Sequence, residues 1–488
     1  MAASESQFDY KKDRLTVLCV RAPISQELTK ELEQRGLAPR PASIPIAAVD
    51  MSLCRALLFQ FDSAHPDAII DEIKATHPEA VSHGATRIAL VENQNDLRTL
   101  QGMLAVVAEA ADVKEIFLTE FPHKVAEYLA RLVVGPSENP DLDIQGAKSK
   151  DAERALLLRR AFHDCKIIEV QPLIPGFSTD SVLCVHAQLL RSNAGPRPLP
   201  FFIKIDELKK VDEEYRRYQE FVRFFVPFNL RPDFDTGRRV SGATLSVLVS
   251  NFVEDAESLL QVVDRGHGGQ ALHSLFENAM RGWRLQGTSQ AGNCVKEALS
   301  HFKWREPCPE VVAHAKTLGS SRSTADIMAL LETHCPANYF QAPMHGDLHA
   351  RNVQVHGFDA ILIDFLYTAR GPMLWDHAQL DVSLMFDPPN ADFKWDSAWD
   401  AVVAAAYKPE AMKHVPTPKH RTELGFHRLM AARKVRHHAL VEQASDYEYI
   451  ALVALQLLKR SGYYDGSQDI QPYARAFALA DILAGALP

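Results

Sequence analysis

The sequence predicts two folds in succession: an α/β domain with an open parallel sheet over residues 14–136, then an α+β region from 152 to 488. Three observations carry this. Between 15 and 134, short apolar runs alternate with stretches of helical period, the pattern of strands joined by helices that cover both faces of a sheet. Residues 152–256 are strand-rich around one helical stretch. From 257 onward the apolar spacing is helical apart from one hairpin. The run 137–151 is polar, holds Pro and Gly and shows no periodicity, so it is expected to be a linker.

Bulk properties bound the function. At 488 residues, two or three domains are expected, and 47% hydrophobic with 24% charged residues suits a soluble globular protein. A net charge of −9 argues against a protein held on nucleic acid by bulk charge. Seven cysteines (Cys19, Cys54, Cys165, Cys184, Cys294, Cys308, Cys335) are scattered, with no Cys-x-x-Cys pair, which predicts reduced thiols in a cytoplasmic protein. The N-terminus lacks the basic and apolar segments of a signal peptide, and no apolar run is long enough to span a bilayer. No nucleic-acid or membrane partner is therefore expected.

In the first domain, strands are predicted at 15–20, 56–61, 87–91 and 115–119, with a short extended piece at 42–46. Helices are predicted at 25–35, closed by Gly36, and at 66–82, 95–111 and 123–134. Length and order resemble the flavodoxin-like receiver domain of two-component signalling proteins. The resemblance stops short of the chemistry. Where a receiver carries its acidic pair after the first strand, this chain has Arg21-Ala22-Pro23-Ile24. Asp62 stands in the place of the phospho-accepting aspartate, and Glu120-Phe121-Pro122 puts an acid where a receiver has lysine. A carboxylate there would repel a phosphoryl group, so the domain is expected to be a receiver-like module for a protein partner or for dimerisation, not a phosphorylated one.

Beyond the linker, strands are expected at 166–173 and 182–188, joined by the turn Pro175-Gly176-Phe177-Ser178-Thr179-Asp180-Ser181. Leu199-Pro200-Phe201-Phe202-Ile203-Lys204-Ile205-Asp206 places a lysine inside an apolar strand, where it is costly to bury without a partner. A helix over 211–225 follows, with Glu213 and Glu214 near its start, and then a strand over 243–253. Later helices are expected at 269–286, 324–334, 376–385, 395–407, 420–444, 447–461 and 472–487. The basic cluster Arg433, Lys434, Arg436, His437, His438 is expected to be a solvated helix face.

Met344-His345-Gly346-Asp347-Leu348-His349-Ala350-Arg351-Asn352 precedes the hairpin. Its two apolar runs, 353–355 and 361–363, flank a turn containing Gly357. A hairpin brings its ends together, so Asn352 before it and Asp364 after it are expected side by side. An amide oxygen and a carboxylate suit Mg²⁺, a hard cation shared with phosphates. Asp347 is in reach of the same spot and able to accept a proton. His345, Asp347 and His349 also alternate as a His-x-Asp-x-His pattern that a metal could take.

His-Gly-Asp-Leu-His-x-x-Asn followed by Ile-Asp-Phe resembles the signature of the aminoglycoside phosphotransferase and choline kinase group, a protein-kinase-like family with a strand-rich lobe (152–256), a helical lobe (257–488) and ATP between them. The nearest subgroup is the bacterial ternary-complex-associated kinase-like domain. The resemblance implies Asp347 as catalytic base, with His345 bracing the loop and Arg351 completing the catalytic set. It implies Asn352 and Asp364 as Mg²⁺ ligands, and Asp376 in Gly371-Pro372-Met373-Leu374-Trp375-Asp376 as the loop's anchor. Gly176 and Ser178 would cover the phosphates, Lys204 would pair with the α- and β-phosphates, and Glu214, chosen over Glu213 by comparison with related sequences, would orient it. The stretch after Val253 is where a kinase hinge would present backbone groups to adenine, and no residue is assigned to that contact. The implied activity is Mg²⁺-ATP-dependent transfer of a phosphoryl group to an unidentified hydroxyl-bearing substrate. The alternative is an inactive nucleotide-binding scaffold in a bacterial signalling or defence assembly.

Overall fold

Runs of apolar residues without alternation become strands covered on both faces. A computed structural model of the chain describes residues 15–20, 24–46, 51, 54–107, 113, 115–132, 135–136, 138–146, 151–172, 182–190, 199–251, 253, 255–335, 338–413 and 423–488. Its first sheet holds Thr16–Val20 (β1), Ala38–Ala42 (β2), Cys54–Gln60 (β3), Thr86–Val91 (β4) and Glu115–Leu118 (β5). All neighbours are parallel in the order β2-β1-β3-β4-β5, one of the two common doubly wound orders. Leu18, Val20, Leu57 and Phe59 pack with Ile69, Ile73 and Leu100 of the helices Pro66–His83 and Gln94–Leu104. The alternate residues Val17, Cys19, Leu58 and Ile88 pack with Leu28, Leu32, Val125 and Leu129 of Gln26–Gln34 and Pro122–Arg131. The strand period of two thus divides one apolar run between two cores.

Local signals set the helix ends. Ser25 accepts from Leu28 N at 3.1 Å and Asn93 from Asp96 N at 3.0 Å, each satisfying an orphan amide of the first turn. Gly84 ends Pro66–His83 in the left-handed region at φ 62°. The extended piece expected at 42–46 lies earlier, as β2.

The second sheet runs β10-β11-β9-β8-β7-β6. Its strands are Asp143–Gly146 (β6), Cys165–Pro172 (β7), Val182–Leu189 (β8), Phe201–Glu207 (β9), Val240–Ser241 (β10) and Leu245–Asn251 (β11). β6 lies within the stretch expected to be a linker, because its backbone pairs in parallel with β7. That pairing needs no apolar period, and three of its four residues are exposed. A helix, Ala152–Ala161, precedes β7 and was not expected; Asp151 caps it by accepting from Glu153 N at 2.9 Å.

Both sheets belong to one compact unit, residues 1–212 and 233–254. Within it, the Arg160 guanidinium donates to His83 O at 2.5 Å and Ser241 O at 3.3 Å. Lys209 pairs with Glu115 at 2.5 Å. Leu208, just past β9, joins the apolar core of the first sheet.

The other unit is residues 213–232 and 255–488. It holds Glu257–Ser258 (β12), Thr288–Ala291 (β13), Asn338–Met344 (β14), Val353–His356 (β15), Asp359–Leu362 (β16) and Ala369–Pro372 (β17). These form the sheets β12-β15-β16 and β13-β14-β17. The second of these was not expected, since its short strands lack the alternation that marks one. Around them stand helices, of which Trp375–Phe386 is buried at every position. A helix buried all round cannot show an amphipathic stripe.

One reading of side chains needs correction. Arg436, assigned to a solvated basic face, is buried: it pairs with Asp381 at 2.6 Å and donates to Ala406 O at 2.7 Å, while Tyr407 and Tyr449 donate to the same carboxylate. His438 of that cluster stacks on Phe276 at 4.7 Å, whereas Arg433 and His437 are exposed. The seven cysteines are free thiols, as expected, and two of them, Cys294 and Cys335, lie with their Sγ atoms 3.0 Å apart. Among the described residues no helix is long and apolar enough to cross a membrane.

Candidate active site

The loop from His345 to Asn352 is pinned from below. Asp376, in the first turn of Trp375–Phe386, accepts from His345 N at 2.6 Å and Gly346 N at 2.9 Å. Full burial raises the Asp376 carboxyl above the usual range, and these two amides and His345 oppose the rise. Trp375 Nε1 donates to Gly346 O at 3.2 Å, and Ala350 N donates to Ser383 Oγ at 2.9 Å. Gly346 has φ +80°, and a Cβ there would meet Tyr367 O at 2.2 Å. Only glycine fits that turn.

The hairpin closes as expected. β15 pairs with β16 from Val353↔Leu362 to His356↔Asp359, and Ile363 N donates to Asn352 O at 3.1 Å. Asn352 and Asp364 therefore flank the open end of the ladder. Asn352 Nδ2 donates to Asp347 O at 2.9 Å, which commits the amide nitrogen to the loop and leaves Oδ1 as its acceptor atom. Asp364 is half-buried and holds a left-handed backbone, φ 65°. A non-glycine residue in that region costs roughly 1–3 kcal/mol and persists where its surroundings over-determine it, typically at functional sites. One amide oxygen and one carboxylate make an all-oxygen donor set, the kind that Mg²⁺ prefers.

His345 is buried, and its Nε2 donates to Ile363 O at 2.9 Å, linking the loop to the last residue before Asp364. Phe365 packs between Tyr218, with ring centres 5.9 Å apart, and His345, at 5.6 Å. Glu214 is buried and accepts from Phe365 N at 3.3 Å. Its neighbour Glu213 faces water: hydrogen bonds from Arg216 and Arg217 hold its carboxyl down at about 2.

Lys204 lies in the other unit, on β9, with β8 on one side (Val182↔Lys204) and β11 on the other (Leu248↔Lys204). It is an interior-strand lysine, half-buried on the face opposite the buried Ile203 and Ile205. Arg351 is exposed and donates to Pro388 O at 2.6 Å, so its charge is engaged with that carbonyl and not with the Asp347 carboxylate. Gly176, Ser178 and Glu254 lie outside the described residues. Among the described residues no group of three or more His, Cys, Asp or Glu side chains is arranged to hold a metal.

Three residues around Asp347 were not read from the sequence. Gln379 Nε2 donates to Asp347 Oδ1 at 2.5 Å. It stands one helical turn after Asp376, so the helix period could have found it. Lys459 and Tyr463 feel the Asp347 charge from a stretch far along the chain, and no local signal marks them.

In the first sheet, Asp62 follows β3 and is exposed. It accepts from Ala64 N at 2.9 Å and contacts His65 Nδ1 at 3.0 Å, and the His65 bond is the main cause that lowers its carboxyl. Arg21, Ala22 and Pro23 lie outside the described residues.

No protein-family model matches the chain, and no curated protein does. Solved structures do match. A glucosamine kinase in complex with glucosamine, ADP and inorganic phosphate is 13% identical, with TM-score 0.37 over 70% of this chain and 88% of its own. A thermostable mutant of an aminoglycoside phosphotransferase, in ternary complex with AMP-PNP and hygromycin B, is 15% identical, with TM-score 0.38 over 65% and 94%. A choline/ethanolamine kinase family protein from Mesorhizobium loti is 15% identical, with TM-score 0.30 over 64% and 87%. Identity and TM-scores this low carry no functional weight by themselves.

Proposed function

We propose that the chain is a Mg²⁺-ATP-dependent phosphotransferase of the small-molecule kinase type, acting on a substrate hydroxyl. The observation that carries this is the hairpin end, where Asn352 is tied by its nitrogen to the Asp347 carbonyl and stands beside the left-handed Asp364. Asp347 accepts the proton of the attacking hydroxyl while the γ-phosphoryl group leaves ATP, and Gln379 holds its carboxylate in place. His345, Asp376 and Trp375 fix the loop that carries it. Bound by Asn352 and Asp364, Mg²⁺ would supply neutralisation of the phosphate charge. Lys204 is assigned to the α- and β-phosphates, Gly176 and Ser178 to the covering turn, and Arg351 to tethering the loop. The subgroup reading, and a receiver-like first domain that docks a protein without being phosphorylated, belong to the same proposal. Asp62, hydrogen-bonded into its own turn, supports the latter.

The test is calorimetric titration of ATP with and without Mg²⁺, on wild type and Asp364→Asn. Mg²⁺-dependent binding that the variant loses is the expected result. No ATP binding in wild type would sink the enzyme reading and leave a scaffold.

A further inference from the structure

The acceptor must reach Asp347, and the groups around that carboxylate indicate what charge the acceptor carries. Lys459 lies near the end of the helix Glu448–Ser461, with its ammonium 4.7 Å from the ring centre of Phe302 and 5.2 Å from that of Trp375. The two rings stack at 5.1 Å, and Trp375 is bonded to the catalytic loop through Gly346. Among the described residues no carboxylate forms an ion pair with Lys459. Burial pulls its pKa down, and the more distant Asp347 is the charge that opposes the fall.

A desolvated ammonium without an ion pair is costly to keep, and an arriving anion relieves that cost. The faces of Phe302 and Trp375 are the surfaces that would attract a cationic acceptor, and Lys459 already covers them.

Resting on the phosphotransferase reading, we propose that Lys459 forms the acceptor subsite beside Asp347, and that the acceptor bears an oxyanion, carboxylate or phosphate, close to the hydroxyl it presents. The hydroxyl oxygen bonds to the γ-phosphorus as the bond to ADP breaks. ADP takes the electron pair and Asp347 the proton. An oxyanion at Lys459 could also be the γ-phosphoryl group in transit, and the experiment separates the two sources.

Glucuronate, glucose and glucosamine are hydroxyl probes of similar size that differ in charge. Each is titrated calorimetrically into the full chain, with and without Mg²⁺-ADP. Glucuronate is expected to bind at least about tenfold more tightly than glucosamine, the scale of one charge-assisted hydrogen bond. Lys459→Met should erase that preference, and Lys459→Arg should keep it. Equal or tighter binding of glucosamine by wild type, or no probe binding at all, overturns the proposal. So does an unchanged preference in Lys459→Met accompanied by a tenfold loss of Mg²⁺-ATP affinity, which would give the ammonium to the γ-phosphoryl group. A charge preference that survives in a chain unable to bind Mg²⁺-ATP would remove the phosphotransferase reading while leaving the anion subsite standing.

Discussion

Asp62 follows β3 and Asp364 follows β16, and in sequence both are an acid after an apolar strand. Their surroundings differ. Asp62 is exposed and, among the described residues, its carboxylate bonds within its own turn, to Ala64 and His65. Asp364 is half-buried, backbone-strained and set against Asn352 by the hairpin. Around it the second unit sinks further carboxylates into its interior, Asp376 under the loop and Asp381 on Arg436. An acid that touches only its own turn can be exchanged cheaply. One whose neighbours were folded around it cannot.

The largest effect is expected at the second site. Asp347→Asn should lower kcat for phosphoryl transfer by about 10²–10⁴-fold, the usual contribution of a general base, with ATP affinity little changed. Steady-state kinetics together with ATP titration check it. A variant that retains full turnover would erase the contrast with Asp62.

Next is the support of the loop. Asp376→Ala leaves the buried amides of His345 and Gly346 without an acceptor. Each should cost about 1–3 kcal/mol, read by denaturant unfolding. Unfolding as cooperative as wild type, with no loss of stability, would mean that the loop finds other partners.

Buried acids also make the second unit pH-sensitive. Burial lifts the fully buried Glu448 from its ordinary 4.5 to about 7. The folded chain then keeps a proton that the unfolded chain has released, so this contribution is full below pH 4.5 and is lost as pH rises through 7. Glu448→Gln should therefore be more stable than wild type above pH 7 by up to about 3 kcal/mol, with the difference vanishing near pH 4. Unfolding at pH 5 and pH 8 tests the sign. An equal difference at both would show that Glu448 keeps its ordinary pKa.

The smallest effect is expected at Asp62. Asp62→Asn should change stability by under about 0.5 kcal/mol and leave transfer unaltered. Acetyl phosphate with Mg²⁺ should add no phosphate to wild type by mass spectrometry. A phosphate on Asp62 would break the comparison outright.

Several features were legible in one dimension because their causes are local. The alternation of strands and helices in residues 15–131, the caps at Ser25 and Asn93, and the hairpin from Val353 to Leu362 depend on neighbours a few residues apart. The His345-to-Asn352 loop was legible from its residue types, although its supports, Tyr367 against Gly346 and Asp376 beneath it, lie farther along the chain. What failed had distant causes. β6 was hidden because its pairing partner, β7, and not its own pattern, makes it a strand. Arg436 looked solvated because Asp381, 55 residues away, is absent from its local window.

Sequence by itself therefore marked many of the elements and the oxygen donors available to a hard cation or a proton, since periodicity, turn chemistry and donor type are written in short windows. Tertiary structure alone decided which polar groups are buried and paired. It set Gln379 on Asp347, laid Cys294 against Cys335, and brought the Lys459 ammonium under the influence of a carboxylate more than a hundred positions earlier. Burial and charge act through space, and the chain's order does not record distance in space.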